Sequence, residues 1–127
     1  MDNNARNATA KPLVVPEIVT LPGEIDVTNA HSVGDELQAA FGPGVAVVIA
    51  DMSGTAFLDS SGVRYLLLAS EHAAQANAEL RLVTESAAVL RVLAITGVDR
   101  LLKIYPNLQA ALTNPGRAGA QQAPGDG

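Results

Sequence analysis

The sequence predicts an α/β domain: a mixed β-sheet of four or five strands packed with about four helices. Three observations carry this. Apolar spacing switches repeatedly between a strand-like and a helical period along the middle of the chain. The segment VAVVIADM, from Val45, is a continuous aliphatic run of strand length, the pattern of a strand covered on both faces. Hydrophobic residues make up 48% of the chain, yet there are only two Phe, two Tyr and no Trp, so the core is built from Val, Leu, Ile and Ala. Such a core suits a sheet covered by helices.

Taken in order, VVPEIVTLPGEIDV (from Val14) alternates as strands do and contains Pro22-Gly23, read as a turn or bend within paired strands. From Thr28 the positions Ala30, Val33, Leu37, Ala40 and Phe41 follow helical spacing until Gly42-Pro43-Gly44 stops it. The VAVVIADM strand follows. Val63, Leu66, Leu67, Ser70 and Ala74 then recur with helical spacing to about Asn77. LRLV at Leu80 is a short strand, and Ser86 to Thr96 a helix closed by Gly97 as a left-handed cap. LLKIYP gives a last strand and NLQAAL a last short helix, with Asn107 as its N-cap.

The 127 residues have the length of one domain. Residues 1–12 and 113–127 read as disordered tails, because their polar and small side chains cannot bury enough surface to offset ordering entropy. The folded unit is then residues 13–112.

A net charge of −5 with eight scattered basic residues argues against direct nucleic-acid binding, which needs clustered Lys and Arg. No apolar run approaches membrane-spanning length, and the N-terminal stretch lacks the apolar core of an export signal, so a cytoplasmic protein is expected. Without cysteine there are no disulfides or thiolate sites. His31 and His72 stand alone on predicted helices, so no metal site and no cofactor is expected. A serine hydrolase fits poorly: the nucleophile elbow needs Gly where Asp59 stands, and His72 lies about 16 Å along the helix from Ser61.

What remains is the run Asp59-Ser60-Ser61-Gly62, placed where a strand gives way to a helix. Asp59 or Ser60 can cap that helix, which accounts for one polar side chain but not three. Gly62 lets another backbone approach the first turn, and a hydroxyl at the positive end of a helix is a good phosphoacceptor, since phosphate meets free amides there. Residues three and four apart share a helix face, so Ser61, Arg64, Tyr65 and Leu68 form a candidate interaction patch. Against this stands the reading that Tyr65 and Leu68 are covered by another element of the same domain. Glu24 and Asp26, after the Pro22-Gly23 bend, are placed at the same end of the sheet.

Four stretches, LPGEIDVTNA, VVIADMSGTAFLDSSGVRYLLLA, LRLVTESAAVLRVLAITGVDRLLKIYP and NLQAAL, together resemble the STAS family, and within it the small stand-alone anti-sigma factor antagonists of bacteria. The resemblance spans about Val14 to Leu112. It implies a non-enzymatic regulator that binds an anti-sigma factor of the GHKL serine-kinase type and so frees a sigma factor. It is read as placing the phosphoacceptor on Ser61, within the motif completed by Asp59, Ser60 and Gly62. Phosphorylation would end binding, and a serine phosphatase would restore it. The resemblance also sets Glu24 and Asp26 beside the kinase surface. Two departures bear on partner choice: Arg64 stands where many members carry Gly, and Thr55-Ala56 replaces a bulkier pair. The alternative is an unswitched STAS subunit bracing the ATPase of a lipid-export transporter, against which the intact D-S-S-G and the negative charge weigh. Oligomeric state is left open.

Overall fold

A computed structural model describes residues 15–114. The expected tails lie outside these residues, except that Thr113 ends the last helix and Asn114 follows it. The described chain runs β1 (Glu17–Thr20), β2 (Glu24–Ile25), α1 (Ala30–Ala40), β3 (Val47–Asp51), β4 (Phe57–Leu58), α2 (Ser60–Gln75), β5 (Glu79–Val83), α3 (Ala87–Ile95), a 3-10 turn (Val98–Arg100), β6 (Lys103–Tyr105) and α4 (Leu108–Thr113). The α/β architecture and its four helices agree with the sequence reading.

Strands β1, β3, β5 and β6 form one sheet in the order β1-β3-β5-β6, and β2 pairs with β4 in a separate two-stranded sheet. Every pairing among the described residues is parallel. That arrangement corrects one expectation: β1 and β2 are not partners across Pro22-Gly23. The bend instead carries the chain out of the main sheet, and the segment after β3 fastens it. Thr55 Oγ1 donates to the Pro22 carbonyl at 2.8 Å, and the Ala56 amide donates to the Gly23 carbonyl at 2.7 Å. Strand β4 was not read from the sequence, because two residues cannot display a period.

The helices bury apolar stripes on the sheet. Ala30, Val33 and Leu37 of α1, Leu66, Ala69 and Ala73 of α2, and Val89 and Leu93 of α3 meet Val48, Ala50, Leu80 and Leu82 in one cluster. On the opposite face Val47, Ile49 and Val83 cluster with Ala111 of α4. The continuous aliphatic run thus feeds both faces, as a central parallel strand requires. No helix among the described residues is long and apolar enough to cross a membrane.

The caps at Asn107 and Gly97 fall where the sequence puts them, and Ser86, read as the first residue of its helix, is its N-cap. Ser86 Oγ accepts from the Val89 amide, Asn107 Oδ1 accepts from the Ala110 amide, and Gly97 has φ +80°. Helix α2 closes through Asn77, at φ +58°, with the Ala78 amide donating to the Ala73 carbonyl and the Asn77 amide to the Ala74 carbonyl. That is a Schellman closure built on asparagine.

Candidate functional site

Asp59 is the N-cap of α2. Its backbone is extended, and its Oδ1 accepts from the amides of Ser61 (2.9 Å) and Gly62 (3.2 Å). Ser60 is then the first helical residue, with an exposed side chain, while Ser61 is half-buried and Gly62 buried. Gly62 has no room for a side chain, because a Cβ there would lie 2.8 Å from Ile25 Cγ2 and would also strike Leu58. The first turn of α2 therefore sits directly on the β2–β4 pair.

The same pair brings the acidic loop to the serines. Glu24 is in register with Phe57 and Ile25 with Leu58, and the Asp59 amide donates to the Ile25 carbonyl at 3.1 Å. The loop is braced by Asn29, whose Oδ1 accepts from the Asp26 amide and whose Nδ2 donates to the Glu24 carbonyl at 2.8 Å. Asp26 Oδ1 accepts from both the hydroxyl and the amide of Thr28. Those two donors, the hydroxyl first, hold the Asp26 carboxyl below its usual range, so it stays ionised. Glu24, Asp26 and the Asp59–Gly62 motif thus lie side by side.

The proposed patch on α2 divides. Arg64 is exposed one turn beyond the serines, and Leu68 is 37% exposed. Tyr65 is half-buried against α1, its ring edge-on to His31 at 5.5 Å between centroids and packed over Gly34, where a Cβ would lie 2.6 Å from Tyr65 Cδ1. Tyr65 mainly joins the two helices. Sequence reading missed Phe57, 50% exposed in the strand leading to Asp59, and Val27, 75% exposed in the acidic loop. The signal for Phe57 was the alternation in a pair whose Leu58 points inward, visible only once that pair is known to be a strand.

Among the described residues no group of His, Cys, Asp and Glu is placed to hold a metal ion. His31 Nδ1 lies 3.3 Å from Asp35 Oδ2 on the surface of α1, and His72 stacks edge-on to Phe41. A phosphorylated serine at the start of α2 is chemically reasonable, but its phosphate would meet an Asp59 carboxylate that already occupies two of the free amides.

The family model of the STAS domain matches residues 7–111. The chain belongs to the STAS domain family. This STAS chain is 26% identical over 113 residues to the anti-sigma-F factor antagonist RsfA of Mycobacterium tuberculosis, a match covering 87% of the chain and 88% of that protein. A crystal structure of an anti-sigma factor antagonist from Mycobacterium paratuberculosis aligns with a TM-score of 0.70 at 28% identity, over 77% of this chain and 83% of that one. The Bacillus protein SpoIIAA in its unphosphorylated form aligns with a TM-score of 0.63 at 22% identity, over 79% and 90%, a likeness of fold alone.

Proposed function

We propose that this STAS protein is a cytoplasmic anti-sigma factor antagonist, acting by binding rather than catalysis. Its partner is an anti-sigma factor of the GHKL serine-kinase type, capture of that partner releases a sigma factor, and a serine phosphatase resets the switch. The observation that carries this reading is the Asp59–Gly62 motif, held at an open helix start and flanked by the Glu24–Asp26 loop. Arg64, Leu68 and Phe57 extend the same exposed surface. Relatives that are themselves antagonists and are covered almost end to end favour a stand-alone antagonist over a transporter subunit.

Phosphate is assigned to the serine pair of α2. Resemblance favours Ser61, whereas accessibility favours Ser60, the exposed member of the pair. Thr55 is disfavoured, being 2% exposed with its hydroxyl committed to the Pro22 carbonyl. The test is incubation with the cognate anti-sigma kinase and ATP, followed by phosphosite mapping in wild type, Ser60→Ala and Ser61→Ala. Modification at one of these serines with loss of kinase binding is the expected result. A chain that binds the kinase but is never modified contradicts the switch, and one that does not bind it at all contradicts the function.

A further inference from the structure

On the face of the sheet turned away from α1, α2 and α3, β5 carries two buried charges. Arg81 is 2% exposed and Glu79 8%. Arg81 Nε donates to Glu79 Oε2 at 3.0 Å, and its Nη1 donates to the carbonyl of Ala111 and, at 3.3 Å, to that of Asn114. The guanidinium also lies over the Tyr105 ring, 5.6 Å from its centroid. A charge this deeply buried persists only when paired and hydrogen-bonded, and here two of the three hydrogen bonds go to α4 and its C-cap Asn114.

Helix α4 needs those bonds. It has six residues, too few to be stable alone, and the carbonyls of its last turn have no partner within the helix. Arg81 supplies that partner, with a positive charge at the negative end of the helix. Asn107 caps the other end through the Ala110 amide. The apolar hold is small: Ala111 is buried and Leu108 partly so against Val47, Ile49 and Val83, while Leu112 is 42% exposed. The larger core lies on the other side of the sheet.

We propose that α4 is a strap that opens as a unit, with Arg81 as its latch. When the strap lifts, Arg81 keeps its ion pair with Glu79, and the core under α1, α2 and α3 is undisturbed. The opening bares the sheet face formed by Val47, Ile49 and Val83 without unfolding the domain.

Hydrogen exchange followed by NMR on the full chain tests this. In wild type, the amides of Ala110 and Ala111 should exchange at least about tenfold faster than those of β3 and β5, because local opening precedes global unfolding. Arg81→Met should speed the α4 amides by a further 10- to 100-fold or so, the worth of hydrogen bonds to a charged donor, and leave the β3 amides unchanged relative to that variant's global unfolding. Should Arg81→Met fail to fold, Asn107→Ala leaves the buried pair intact and should accelerate α4 alone. Equal protection of α4 and β3 in wild type, or equal acceleration of both in Asn107→Ala, would overturn the proposal.

Discussion

Asp59 holds α2 with the same carboxylate that a neighbouring phosphate would confront. Removing the side chain in Asp59→Ala deletes a cap whose one oxygen accepts from two amides and should lower stability by about 1 kcal/mol, read as a lower denaturation midpoint in urea. Asp59→Asn keeps a capping oxygen but removes the negative charge, so a phosphate on Ser60 or Ser61 meets less repulsion. Its phosphorylated form is expected to retain more kinase affinity than phosphorylated wild type, as calorimetric titration can measure. Arg64→Gly should weaken the unmodified complex by removing an exposed guanidinium, and should itself lose about 1 kcal/mol of stability to the lower helix propensity of glycine. Equal kinase affinity in a folded Arg64→Gly would make Arg64 an ordinary solvated residue. Asp26 titrates below the ordinary value of 3.8 in the folded chain, chiefly because the Thr28 hydroxyl donates to it. A depressed carboxylate stabilises above the unfolded pKa and loses that contribution as pH falls through the lowered folded value. Asp26→Asn should therefore flatten the acid limb of the stability profile below about pH 5 by lowering its neutral region, with the variant and wild type converging at the acid end.

At the scale of elements, the caps were legible and the partners were not. Asn107 and Gly97 could be read because capping depends on one residue and its immediate neighbours. The Pro22-Gly23 bend was visible, but whether it joins two paired strands or separates two sheets depends on Thr55 and Ala56, 33 residues on. Likewise, spacing put Tyr65 on the face of Ser61 and Arg64, while Gly34, the residue that draws Tyr65 against α1, lies on another helix. That contact makes Gly34→Val an overpacking change, expected to cost about 1–3 kcal/mol and to push Tyr65 outward beside Ser61. A thermal melt would register the loss. At the end of α2, Asn77 occupies a left-handed position, so Asn77→Val should destabilise by about 1–2 kcal/mol while Asn77→Gly is tolerated.

Across the whole molecule the sheet divides labour. Three helices pack one face, and the turn bearing Asp59, Ser60 and Ser61 leads into one of them, while α4 and the Arg81–Glu79 pair occupy the other. Class and helix count were legible because they rest on repeated apolar spacing. Strand order was not, because parallel pairing joins segments with no local signature of one another. The net charge of −5, with Glu24 and Asp26 beside the serines, calls for a basic surface on the partner. Association with the proposed anti-sigma kinase should slow severalfold as salt rises from 50 to 500 mM or so, by stopped-flow, with a smaller change in dissociation.

Pairing of β2 with β4 has a consequence for when in its life the protein acquires the proposed site. The serines acquire their setting from Ile25, whose carbonyl takes the Asp59 amide, and from Pro22, joined to Thr55 across 33 residues. A growing chain that has left the ribosome only as far as α1 holds neither contact, and a proteolytic fragment beginning after β2 never regains them. The setting of these serines is thus a property of the finished molecule, and under the proposed switch a kinase that recognises this arrangement audits the integrity of its substrate as it reads it. A synthetic peptide spanning Asp51 to Ala69 carries the whole motif, yet it should be modified far more slowly than the folded domain at equal concentration.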